Sequence, residues 1–459
     1  MNLEVIHIYH TNDLHSHFEK WPRINHFLAE RRKWHQDAGE EFFLFDIGDH
    51  ADRSHPLTEA TQGQGNVQLL NEAGYHAVTI GNNEGITFPF DELDHLYDQR
   101  QFDVLLANLF YQDGHSPGWL KEHTIYETKK GVKMGLTGLT ANYAHLYQLL
   151  GWQTADPIEA LKQQVTRLKE KSDIIILLSH LGITDDERIG QEFPEIDVVI
   201  GGHTHHILHE GKMVDTSLLT CGGKWGMYVG HIRLVVDPAS GTLVEKKAWL
   251  YDTNDLPSFE AEEEQINHLY KWGKDILSAS VVSHDCEEKS KDELAQLLCK
   301  AIHDWCEADC AFMNEGLILN HLAGGTVTRY DLLKLCPHPI NPAVVELTGA
   351  ELKEVLVQTR DEKWKNLQIF GLGFRGKIMG EILYSGIDVK VEADYLHFYI
   401  HGKPIESEKI YKLAIPDMFT FGRFFPSIFR AKKKQYFLPE FLRHLLEWRL
   451  GETEKQIVK

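Results

Sequence analysis

The chain has 459 residues, a length for two domains at roughly 100–200 residues each. Its 42% hydrophobic and 25% charged residues are the balance of a folded protein and exclude a disordered one. A formal charge of −21 counts against a nucleic-acid platform, yet it leaves small phosphorylated ligands open, since a bound cation can dominate a site.

No apolar run reaches the roughly 18 residues of a membrane helix. The first residues carry Glu4 and no basic region, so neither a signal peptide nor a membrane partner is expected, and the expected location is the cytoplasm. Six cysteines without a secretory leader are expected to be reduced.

Up to about residue 250, short apolar runs alternate with helix-like stretches, the pattern of an α/β domain. The runs are 5–9, 42–45, 77–80, 174–178 and 198–200, and helices are expected over 24–34, 65–73 and 158–170. A later strand, 230–236, ends at the turn signal Asp237-Pro238. The first domain is therefore placed at 1–255. Asp255-Leu256-Pro257-Ser258 then interrupts the pattern, and Ser258 is the expected cap of a helix whose first turn holds Glu260, Glu262, Glu263 and Glu264. Ile266, Leu269, Tyr270, Trp272 and Ile276 recur at helical spacing, so 256–278 reads as a connecting helix.

A second α/β domain follows over 279–459, with strands near 344–347 and 410–415. Within it, Cys299, Cys306 and Cys310 flank His303. They read either as a metal-binding helix face or as small buried hydrophobes beside Leu294, Leu298, Ile302 and Trp305. No close CxxC pair supports the metal.

Five segments place metal-type ligands directly after an apolar run. They are His10-Thr11-Asn12-Asp13-Leu14-His15, Asp46-Ile47-Gly48-Asp49, Gly81-Asn82-Asn83-Glu84, Ser179-His180 and Gly201-Gly202-His203-Thr204-His205. In open α/β sheets, ligands bind beyond the carboxyl ends of the strands, so five such ends converge on one place. Asp, His and Asn donors without thiolate suit borderline divalent ions such as Mn, Fe, Zn or Co. Seven candidates (Asp13, His15, Asp49, Asn82, His180, His203 and His205) exceed one tetrahedral ion and fit two ions bridged by a carboxylate.

In this order, DLH, GDH, GNN, SH and GGHTH resemble the DxH, GD, GNH, H and GHxH pattern of the calcineurin-like metallophosphoesterases. HTNDLHSHF and GNVQLLNEAGYHAVTIGN look like the 5′-nucleotidase and UDP-sugar hydrolase branch, as do LAGGTVTRYDLLKLCP and VVELTGAELKEVL in the second half. The resemblance implies an N-terminal four-layer domain, a β-sandwich flanked by helices, and a C-terminal α/β substrate domain. It implies that Asp13, His15 and His205 hold one ion, that Asn82, His180 and His203 hold the other, and that Asp49 bridges. Two such ions supply an activated water and clamp a phosphoryl group. The implied activity is hydrolysis of nucleotides or related small phosphate compounds.

The chain also departs from that pattern. Asn83 stands where the family has a histidine, and Ile86 where it has that histidine's aspartate. Asparagine delivers no proton near neutral pH, and loss of a general acid costs about 10²–10⁴ in rate. Asn83 and, as a substitute acid, His50 or His55 are thus the catalytic candidates. The Asn-x-Gly-x-x-Arg motif appears as Asn314-Glu315-Gly316-Leu317-Ile318-Leu319, without its arginine. A late aromatic segment, Met418 to Phe425, lacks the sugar-reading aspartate. Asn314, Gly316, Phe370, Phe419 and Phe421 are the substrate candidates, with Phe374 as a further stacking ring and Arg375 or Arg423 as a replacement cation. Two other readings stay open: a catalytically weakened homologue that binds metal and a phosphorylated ligand in a regulatory role, and a phosphodiesterase for cyclic nucleotides.

Overall fold

The computed structural model describes residues 3–392, 395–422 and 424–457. The chain forms two compact units, Met1–Gly273 and Lys274–Lys459.

In the first unit, one six-stranded sheet has the order Thr242–Asp252, Tyr228–Asp237, Glu4–Thr11, Glu41–Asp46, Ala77–Val78, Asp103–Val104. The second has the order Lys212–Val214, Ser217–Thr220, Val198–Gly201, Ile174–His180, Lys133–Thr140, His123–Glu127. Strand Ile174–His180 shows why its sequence is continuously apolar. Ile174, Ile176 and Leu178 join Ile6, Ile8, Phe43 and Phe45 in a core shared by both sheets. Ile175 and Leu177 face the other way, onto Leu161, Val165, Leu168 and Ile189 of helices Pro157–Leu168 and Ile183–Glu192. Helix Trp21–Asp37 covers the outer face of the first sheet with Ile24, Phe27 and Leu28. Sheets inside and helices outside give the expected four layers.

The helix expected from residue 256 begins later, at Glu262, and runs to Ser278. Arg23 Nε and Nη2 donate to the two Glu262 oxygens at 3.0 Å each, which ties the first residue of this helix to helix Trp21–Asp37. Gly273 lies flat against the backbone of Pro56 and Leu57, so the helix packs within the first unit up to that point.

The second unit has a five-stranded sheet of order Ile382–Ser385, Cys310–Asn314, Ile410–Pro416, Pro342–Thr348, Lys434–Tyr436. Helices Lys291–Trp305, Arg329–Leu335 and Gly349–Gln358 each start at a capping box, Ser290/Glu293, Thr328/Asp331 and Thr348/Glu351. The cysteine cluster is core. Cys299, Cys306 and Cys310 are buried with their thiols pushed up in pKa by that burial, and His303 is bonded to Ser385 and Ala308. Among the described residues no helix is long and apolar enough to cross a membrane.

Candidate metal centre

The ligand segments sit at adjoining strand ends because their strands are paired. Parallel pairing brings Thr11 beside Asp46 and Asp46 beside Val78, and in the other sheet Ser179 beside Gly201. The pairing continues into the loops: Asp13 N–H donates to Gly48 O at 3.0 Å, His15 N–H to Asp49 O at 2.8 Å and Ser16 N–H to His50 O at 2.9 Å. Asp13, His15, Asp49, His203 and His205 all have φ between 50° and 70°, the left-handed region. Such backbone costs about 1 kcal/mol or more per residue and persists only where its surroundings fix it. At Asp13, His15 and Asp49 the ladder of amides fixes it.

Two donor groups result. Asp13, His15 and His205 offer atoms within 4.8 Å of one another, and so do Asp13, Asp49 and His180. Asp49 Oδ2 lies 3.6 Å from His15 Nε2 and 3.4 Å from His180 Nε2, so one carboxylate oxygen faces both groups. Asp13 Oδ1 also reaches both, at 3.4 Å from His205 Nε2 and 3.9 Å from His180 Nε2, whereas the sequence assigned it to one. The backbone N–H of His203 donates to both Asp13 oxygens at 3.1 Å, and its ring centroid is 5.3 Å from that of His180.

The cluster fits divalent ions. His180 Nδ1 is 2.6 Å from Ile47 O, so that nitrogen carries a proton there and Nε2 is the one that faces the carboxylates. Among the described residues, that buried Nε2 has no hydrogen-bond partner, and neither has Asn82 Oδ1. Burial alone would lower His180, but Asp49 and Asp13 outweigh it and raise the ring to about 10. The carboxylates thus demand a positive charge at this spot, which a metal ion would meet. Asp49 shows the reverse: burial raises it, while His180, His15 and the Asn83 N–H hold it well below the usual carboxylate range.

Glu84, quoted in the motif but given no role, proves central. Its carboxylate accepts the backbone N–H groups of Asp49 and Gly81 at 2.9 Å and of Ala51 at 2.8 Å, tying two ligand loops together. Burial and then Asp49 push it up to about 7. Gly81 is required beside it, since a Cβ there would overlap Asp49 Oδ1.

The expected catalytic residues lie otherwise. Asn83 belongs to the short helix Asn82–Thr87, not a loop, and is buried. Its amide nitrogen lies 2.9 Å from His15 Nδ1 and 3.2 Å from Ala51 O, while its oxygen accepts from Asn82 Nδ2 at 3.3 Å. It braces ligands. His50 is packed edge-on against Trp21, with Nδ1 3.2 Å from Asn66, and burial lowers it to about 3, so the ring is neutral at neutral pH. His55 caps helix Pro56–Ala60 through Leu57 N–H and is lowered by burial to about 4.

In the second unit, Asn314 is buried, donating to Met379 O at 3.1 Å with its Oδ1 unpartnered among the described residues. A Cβ on Gly316 would overlap Ile378 O. Phe370 is 83% exposed and Phe421 39%, available to a ligand. Phe419 is fully buried among Phe312, Phe424 and Phe425, so it is core, and Phe374 is buried against His338. Arg423 lies outside the described residues.

Residues 6–206 match the calcineurin-like phosphoesterase model and 274–423 the 5′-nucleotidase C-terminal domain. An uncharacterized metallophosphoesterase of Bacillus subtilis, YunD, is 43% identical over 460 residues, covering 98% of this chain and 100% of its own. Two solved structures share the fold: a 5′-nucleotidase precursor from Thermus thermophilus (17% identity, 98% and 96% of the chains, TM-score 0.60) and the NAD nucleotidase of Haemophilus influenzae (16%, 99% and 97%, TM-score 0.67). The chain belongs to the calcineurin-like metallophosphoesterases that carry a 5′-nucleotidase C-terminal domain, hydrolases of phosphoric esters that use divalent metals.

Proposed function

We propose that this protein hydrolyses nucleotides or related small phosphate compounds whose leaving group departs without a proton from the protein. The observation that carries the reading is Asp49 Oδ2 facing both His15 and His180, the arrangement of a carboxylate shared by two ions. Asp13, His15 and His205 would hold one ion, His180, His203 and Asn82 the other, with Asp13 supporting both. When bound, the ions supply the nucleophile and neutralise charge on the phosphoryl oxygens. The chain's own groups orient: Glu84 locks the loops, Ile47 O sets the His180 tautomer, and Asn83 steadies His15 and Asn82.

Among these groups nothing that could protonate a leaving oxygen takes the place of the absent histidine. Asn83 is committed to ligands and His50 is neutral and turned to Trp21. That favours phosphoanhydrides, as in nucleoside diphosphate compounds, over alkyl monoesters. A cavity of about 340 Å³ beside His203, lined by Asn142, Tyr143, Asp156, Asp185 and Arg188, is of the size for a small ligand. Turnover of AMP, UDP-glucose, 2′,3′-cyclic AMP and a nitrophenyl phosphodiester with added Mn tests this. UDP-glucose should exceed AMP. Metal binding without turnover of any of them would point instead to a regulatory binding protein, and preference for the cyclic nucleotide to a phosphodiesterase.

A further inference from the structure

Three more histidines converge far from this centre. Ile6 and Ile8 enter the sandwich core, so His7 and Tyr9, alternating with them, face helix Trp21–Asp37. His35 comes from the last turn of that helix, and His231 from the adjacent strand, in register with Tyr9. All three are at least 95% buried, and each offers a nitrogen within 4.8 Å of the others. His7 lies four positions before the end of its strand at Thr11, about 13 Å at strand spacing, and the Asp13 loop lies beyond that end.

Their outer nitrogens are spoken for. His35 Nε2 lies 3.0 Å from Tyr9 OH, and His7 Nδ1 lies 2.8 Å from His231 Nε2. The inner nitrogens face one carboxylate: Glu40 Oε2 is 3.0 Å from His35 Nδ1 and 3.2 Å from His7 Nε2, and the two rings stack at 3.7 Å. The His7 contact is the longer of the two, and one carboxylate oxygen serves both rings.

We propose that His7, His35 and Glu40, with His231 bracing His7, form a separate site for zinc or a similar borderline divalent ion. Two imidazoles and a carboxylate are its donor set. If Tyr9 takes the proton of His35 Nε2 and His231 that of His7 Nδ1, the inner lone pairs are both free for the ion. This is the outer hydrogen bonding that metal-binding histidines use. The Glu40 side chain is 33% exposed and gives the ion a way in. Bound there, the ion would pin the first strand to helix Trp21–Asp37.

The test is zinc stoichiometry on the full-length, untagged chain, stripped with chelator, reloaded and counted by atomic emission. Wild type should hold one equivalent more than Glu40→Gln and than His35→Gln, and cobalt loading should show visible bands of a four-coordinate ion in the wild-type minus Glu40→Gln difference. Glu40 is partly exposed, so Glu40→Gln carries the test should His35→Gln fail to fold. Equal zinc in wild type and Glu40→Gln overturns the proposal. Phosphoesterase turnover, unchanged in Glu40→Gln, is a separate readout: its failure in wild type would speak against the reading of the Asp49 centre and not against this site.

Discussion

Oε2 of Glu84 accepts the backbone N–H of Asp49 at 2.9 Å, so a residue outside the ligand set sets where the shared carboxylate stands. Glu84→Ala would leave three buried N–H groups without an acceptor. Stability should fall by about 3–5 kcal/mol in urea titration, with metal content falling too. Glu84→Gln keeps one oxygen and should lose about half as much. A Glu84→Ala protein with wild-type stability and metal content would show that the loops are held by other means.

Asp49→Asn removes the charge that faces both donor groups while keeping its shape. Turnover should drop to background and the melting temperature of the metal-free protein should stay within a few degrees. Retention of most activity would sink the shared-carboxylate geometry.

Asn83 touches His15 Nδ1, and an amide can meet either tautomer by a half-turn that exchanges donor and acceptor. Asn83→Ala should therefore raise the Mn concentration for half-activation about 10–100-fold, the usual effect of losing a ligand's outer partner. An unchanged activation curve with lowered kcat would instead return Asn83 to a role at the scissile bond.

His338 is fixed as the neutral ring, since Nδ1 accepts Arg375 N–H at 2.8 Å and Nε2–H donates to Leu317 O at 3.1 Å. Burial, then Arg375, lowers it to about 3, against an unfolded value near 6.5. Between these values the unfolded chain binds the extra proton, so this contribution to stability is complete above pH 6.5 and lost as pH falls toward 3. The slope should reach about 1.4 kcal/mol per pH unit near pH 5. Urea midpoints across that range should flatten in His338→Gln; parallel curves would refute the assignment.

Phe419 and Phe370 separate packing from recognition. Phe419→Ala should destabilise the second unit by about 3–5 kcal/mol, because it empties a ring from the core. Phe370→Ala should leave stability within about 0.5 kcal/mol and raise KM for a nucleotide. Loss of stability in Phe370→Ala, with KM unchanged, would remove it from the substrate candidates.

The ligand segments were legible because each polar cluster follows a run of apolar residues, and a strand end is where such a cluster projects. Other features were not, because they depend on partners distant in sequence. Strand Lys133–Thr140, rich in Gly and Thr, shows no apolar run, and Gly138 is needed there because a Cβ would overlap Leu105 O. Glu84 collects amides from residues over 30 positions away, and nothing local marks it. Phe419 and Phe421 are two positions apart, yet one is core and the other exposed, a difference set by the second unit's sheet. His7 and Tyr9 fell within an apolar run whose alternation only the sandwich reveals.

Asp13, His15 and Asp49 hold left-handed backbone through hydrogen bonds made by the protein itself. The cradle therefore keeps its shape before any ion arrives, and little of the binding energy is spent on ordering chain. Ions can then exchange without unfolding. Affinity alone would rank zinc above manganese. The metal bound would then depend also on which ions are supplied, and turnover would rise and fall with that supply.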